Sequence, residues 1–249
     1  SNRFPNGLGN DSGLLGKYIA FHNYRGRIRA THEGHKNSRV DGRKPTSAYL
    51  PRFRNVYRQE TNFLRGYAAG FGARKNMIYD TSGLGDDLFN NLKNTNQSDV
   101  WSVRSHMMGE TIPKESNQVT LDQKLVDPWG IPQLKVDVDY DDNDEKMLKD
   151  FFDEFSEMYT KAGFKNIKTE DNKRIPGNDI HEMGGVRMGY DLKTSLLNKW
   201  NQLHLCQNVF VTDGACMTST STQNPSLTYM AMTARAANHA IKEMKKGNI

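Results

Sequence analysis

Three short stretches in the last third of the chain decide its reading. They are His181-Glu182-Met183-Gly184-Gly185-Val186-Arg187-Met188-Gly189, Asn208-Val209-Phe210-Val211-Thr212-Asp213-Gly214, and Gln223-Asn224-Pro225-Ser226. The first is a glycine-rich loop behind an imidazole. The second reads as an apolar strand ending in an acidic residue. The third opens a long helical pattern in which Leu227, Met230, Ala231, Ala234, Ala237 and Ile241 form one apolar face.

Each stretch has a structural and a functional meaning. A lone histidine is usually structural, but an imidazole titrating near neutrality is also a natural base for a hydroxyl proton. Glycines at 184, 185 and 189 permit backbone paths closed to larger residues. Asn224 with Pro225 predicts a capped helix start. The same helix end offers free amides to partial negative charge. Asp213 and Gly214 suit a loop cap and also the strand end where α/β proteins bind ligands. At this level both readings stand for each stretch.

Working outward, the middle of the chain predicts an α+β fold. Residues 118–122 read as a short strand, and Leu134, Val136, Val138 and Tyr140 alternate with polar residues as in a half-buried strand. Acidic residues at 141–144 then predict a helix N-terminus. Met147, Leu148, Phe151, Phe152, Phe155, Met158 and Tyr159 follow at helical spacing, with Gly163 placed to end the helix. That stripe reads as core. Residues 1–50 suggest a leading loop with one strand near Tyr18-Ile19-Ala20-Phe21, and residues 50–110 suggest short strands and loops broken by glycines.

Composition limits the alternatives. The balance of 34 basic and 29 acidic side chains gives +5. A basic stretch runs from Arg25 to Arg29 and again from Arg39 to Lys44, without a nucleic-acid-binding signature beside it, so a solvated basic loop is expected. No apolar run reaches the roughly 18 residues of a membrane span, and residues 1–6 have no apolar signal region. Cys206 and Cys216 lack metal-site spacing, so no metal is expected.

The order of His181, Arg187-Met188-Gly189, Asp213 and Asn224-Pro225-Ser226 resembles the C-terminal part of the glucose–methanol–choline (GMC) oxidoreductases, which use FAD to oxidise alcohols and sugars. Looser matches at Leu8-Gly9-Asn10 with Leu15-Gly16-Lys17-Tyr18, Pro51-Arg52-Phe53-Arg54-Asn55 and Phe63-Leu64-Arg65-Gly66-Tyr67 resemble the sugar-oxidising branch. That branch includes gluconate 2-dehydrogenase, glucoside 3-dehydrogenase and pyranose oxidase. The resemblance implies that His181 accepts a substrate hydroxyl proton while hydride leaves for flavin N5, and that Asn224 orients the reacting oxygen. It implies that Asp213 and Gly214 lie by the diphosphate or ribityl chain of FAD, and that Asn224, Pro225 and Ser226 face the flavin. Gly185 departs from the family, which often has threonine there.

Family members open with a strand, a G-x-G-x-x-G turn and a helix. Gly7-Leu8-Gly9-Asn10-Asp11-Ser12-Gly13 and Ser82-Gly83-Leu84-Gly85 lack that spacing and context. The expectation is therefore a C-terminal fragment of a FAD-dependent sugar or sugar-acid dehydrogenase, which by itself would not hold FAD tightly without the N-terminal half. Residues 1–177 would form the substrate-binding domain, with a mixed or antiparallel sheet covered by helices on one face. Residues 178–249 would return a strand and a helix to a Rossmann-like FAD domain. The apolar helix face would then be exposed, loosely packed or buried in an oligomer. The electron acceptor and compartment are not readable, since any export signal would lie upstream. The alternatives are a non-enzymatic carbohydrate-binding module and, less favoured, a nucleic-acid binder.

Overall fold

A computed structural model describes residues 3–35, 47–93, 96–173, 175–178 and 180–249. Its strands are β1 (His22–Asn23), β2 (Gly26–Glu33), β3 (Ser47–Leu50), β4 (Tyr67–Ile78), β5 (Asn96–Glu110), β6 (Gln118–Val126), β7 (Pro132–Asp137), β8 (Lys165–Asp171), β9 (Gln202–Leu203) and β10 (Cys206–Phe210). Its α-helices are α1 (Asp86–Lys93), α2 (Asp142–Lys161) and α3 (Ser226–Lys245). The main sheet runs β3-β4-β5-β2-β8, with β1 beside β5, and every strand pair in it is antiparallel. This is the expected α+β architecture, with α2 packed on one sheet face.

Helix α2 forms where the periodicity predicts it. The Asp141 carboxylate accepts from the amides of Asn143 and Asp144, and Asp144 returns a bond to the Asp141 amide, a capping box contributing about 1 kcal/mol. At the other end Gly163 donates to the Thr160 carbonyl and Phe164 to that of Tyr159, and the rings of Tyr159 and Phe164 pack 4.9 Å apart. Between these caps Met147, Leu148, Phe151, Phe155 and Tyr159 are buried against Ile28, Ala30, Tyr67, Ala69, Val103 and Met107 of the sheet. Phe151 and Phe155 stand 4.5 Å apart, and Tyr67 meets Phe151 edge-on at 5.7 Å. Tyr67 donates to Asp150 at 2.7 Å, which also takes the Arg54 guanidinium at 2.9 Å.

Several expectations are corrected. Residues 50–110 hold two long strands, of 12 and 15 residues, besides α1. The glycines within β4 are not breakers: a Cβ on Gly70 would lie 2.3 Å from the His106 ring, so a bare backbone is what lets that ring cross the strand. The run at residues 18–21 makes only the isolated bridge from Ala20 to Met183, and the first strand starts at His22. Residues 26–29 are not a solvated loop but part of β2, and Arg25 is largely buried between Asp171 and Glu145. Residues 39–44 lie outside the described residues. Finally, β7 exists but is not half-buried. It pairs only with β6, and Leu134 and Val136 are exposed because that two-stranded arm has no element packed over its apolar side among the described residues.

At the C-terminus β9 and β10 form a small hairpin, and α3 buries only Ala236. Leu227, Met230 and Ile241 are exposed, so the expected apolar face is open. No helix among the described residues is long and apolar enough to cross a membrane.

Candidate active site

The glycine-rich loop is threaded between two backbone segments. On one side Ala20 and Met183 exchange bonds of 2.8 Å, Gly185 donates to the Lys17 carbonyl, and Gly16 donates to that of Gly185. On the other, Gly184, Val186 and Met188 donate in turn to the carbonyls of Gly214, Ala215 and Cys216. Gly184 sits at φ +88°, and a Cβ there would lie 2.1 Å from the Tyr18 carbonyl oxygen, so no other residue fits. The departure at Gly185 has a local reason: at φ +91° a threonine would be strained. Arg187 stacks over the Tyr18 ring at 3.8 Å and donates to the Thr194 carbonyl.

His181 stands at the mouth of this loop with φ +66°, a conformation uncommon outside glycine. Its Nδ1 is 3.0 Å from Nε2 of His22, and the two rings meet edge-on at 5.1 Å. His22 is buried on β1. Burial, and then the neighbouring His181, push the His22 pKa down to about 4, so it is uncharged near neutrality. Sequence reasoning missed His22, because a histidine after an apolar run carries no mark that distinguishes it from a core residue.

Directly across the ladder from His22 is Glu110, also buried. Arg52 and Arg65 approach it at 3.6 and 3.7 Å, and the Ser219 hydroxyl donates to it. Tyr49 donates to the Thr222 carbonyl at 3.0 Å. These contacts fix the segment leading to Asn224 above the sheet ends. Asn224 itself is exposed. It does not cap α3: Pro225 holds the N-cap position with helical angles, its carbonyl takes the Tyr229 amide, and no side chain caps the end. The boundary therefore falls one residue beyond the predicted cap.

Asp213 is exposed and its carboxylate accepts from the Ala215 amide at 2.9 Å, capping a short 3₁₀ turn. Gly214 lies so close to the Glu182 carbonyl that a Cβ would be 2.7 Å from it. The histidine loop and the Asp213 turn are thus brought together by main-chain bonds. Pro225 is buried while Ser226, Leu227 and Thr228 at the helix start are exposed. The uncapped first-turn amides of α3, open beside this turn, suit the electron-rich edge of a flavin, so the residues present fit that group.

The site is thus an antiparallel sheet backed by one long helix, with a histidine loop laced to an acidic turn. Residues 113–233 match the family model of the GMC oxidoreductases. These residues form a C-terminal domain of the GMC oxidoreductase family. It is 30% identical to 2-methyl-1,2-propanediol dehydrogenase of Mycolicibacterium austroafricanum, over 94% of this chain and 43% of that protein. It is 29% identical to paromamine 6'-oxidase of Streptomyces fradiae, over 94% of this chain and 40% of that protein. Fructose dehydrogenase large subunit of Gluconobacter japonicus matches at 29% over 55% of this chain and 25% of its own length. The chain therefore spans about two-fifths of the length of the first two relatives.

Proposed function

We propose that this chain supplies the substrate side of a FAD-dependent oxidoreductase acting on a sugar or sugar-acid hydroxyl. Residues 1–177 are the substrate-binding domain, and residues 178–249 are the catalytic loop and the segment returning to the FAD domain. The observation that carries this reading is the 3.0 Å bond between His22 and His181. With His22 uncharged, its Nε2 lone pair accepts the Nδ1 proton of His181. That tautomer puts the basic lone pair of His181 on Nε2, the nitrogen that would take the proton of a substrate hydroxyl.

Asn224 orients the reacting oxygen through its amide, a positioning and electrostatic role. When bound, FAD supplies the hydride acceptor. Asp213 and Gly214 would hold its diphosphate or ribityl side, and the N–H groups of Ser226 and the following turn, beside Pro225, would face its pyrimidine edge. The names of the fructose and paromamine relatives support a carbohydrate substrate.

The test is made on the full-length protein loaded with FAD and kept without oxygen. Titration with a panel of aldoses, ketoses and aldonic acids is expected to bleach the oxidised-flavin absorbance with at least one of them. A protein that binds FAD but is reduced by none of the panel would remove the sugar assignment.

A further inference from the structure

The sheet face turned away from α2 carries charge that the proton-accepting site does not use. Arg104, His106 and Glu110 alternate along β5 and so share one face. Across the ladder, Arg27 lies opposite His106 and Arg29 opposite Arg104 on β2, while Gly70 and Gly72 hold the matching places on β4. The guanidinium groups and the imidazole therefore stand beside a strip without side chains. The result is a cavity of about 370 Å³ lined by Arg27, Arg29, Arg104, His106, Glu170 and Asn172.

Its charge balance is one-sided. The single carboxylate in the lining, Glu170, is held by Arg29 at 3.0 Å. Arg27 lies over the Tyr24 ring at 4.0 Å and donates to the carbonyls of Tyr24 and Gly26. Arg104 is exposed and makes no ion pair among the described residues. Arg29 is already matched by Glu170, so it is the exposed Arg104 whose planar fork is placed to take carboxylate or phosphate oxygens.

The histidine pair lies at the far end of the same face, beyond the buried Met108. His22 is opposite Glu110, four residues along β5 from His106, a span of about 13 Å at strand rise. We propose that this basic trough extends the His181 site and holds the oxyanion, carboxylate or phosphate, of a saccharide with at least two linked sugar units. The inference rests on His181 as the site of hydroxyl oxidation. A single-stranded nucleic acid fits less well, since among the described residues no Phe, Tyr or Trp lines the cavity to stack with bases.

Isothermal titration of the protein at low salt compares trigalacturonic acid, maltotriose, maltotriose bearing a terminal phosphate, inorganic phosphate and oligothymidylate. One of the two acidic trisaccharides is expected to bind at least about 10-fold more tightly than maltotriose, and the stronger of them names the oxyanion. Arg104→Ala should abolish that preference without changing maltotriose affinity, and Arg104→Lys should keep part of it. His181→Asn should leave the preference intact. Failure of the trough is thereby read by binding, whereas failure of the His181 role is read by flavin reduction. Equal affinity for acidic and neutral trisaccharides, or a preference untouched by Arg104→Ala, overturns the proposal. So does inorganic phosphate matching the acidic trisaccharide, or Arg104-dependent binding of oligothymidylate that exceeds it.

Discussion

His181→Asn is expected to slow flavin reduction by sugar about 100- to 10,000-fold in the full-length protein, the range for loss of a general base. FAD affinity should change little, because the amides and carboxylate assigned to the cofactor lie on other segments. Asparagine is the informative replacement. At φ +66° it is among the side chains that best tolerate the left-handed region, whereas alanine would add backbone strain to the chemical loss. Stopped-flow reduction at saturating sugar reads the chemical step, and the thermal transition checks that the loop has kept its place. Asn224→Ala should also slow reduction, and the double variant should lose less than the two effects combined. Reduction at the original rate in His181→Asn would remove this residue from the base role.

The second large effect concerns stability and pH. Asp144, the third residue of α2, is buried at 3% exposure, and one of its carboxyl oxygens has no partner. Desolvation raises its pKa from 3.8 to about 7. The folded state thus holds a proton that the unfolded chain has already released between pH 4 and 7. Stability falls as pH rises through that window, by up to about 4 kcal/mol. His22 works in the opposite sense. Its pKa falls from 6.5 to about 4 on folding, so its contribution is lost as pH falls through that range. The two groups offset one another in the native protein. Asp144→Asn removes one of them while keeping an acceptor for the Asp141 amide. Urea denaturation is expected to show the variant gaining on the original protein from pH 5 to pH 8. Parallel stability curves across that range would show that Asp144 ionises normally.

What could be read in the residues follows from the length scale of the signal. Helix α2 was legible because its cap, its apolar period and its stop lie within one local stretch. The histidine loop and the Asp213 turn were legible as motifs for the same reason. The length of β4 was not, because Gly70 looks like a break until the His106 ring is placed over it. The exposure of β7 was not, because alternation records a strand's two faces without saying whether anything covers them. His22 was beyond reach for a simpler reason: 159 residues separate it from His181, and no local pattern encodes that meeting.

The lacing of the glycine-rich loop between residues 16–20 and 214–216 has a kinetic side. The bonds between residues 16–20 and 183–185 carry a large loop-closure cost, whereas those between 184–188 and 214–216 close a short loop. Helix α2, with its cap and apolar stripe in one stretch, needs no such closure to form, whereas its packing on β2 does. After dilution from denaturant, the helical circular-dichroism signal should return before the histidine pair can be titrated as native. If both return in a single phase, assembly of the site belongs to the folding nucleus instead of being the last event of folding.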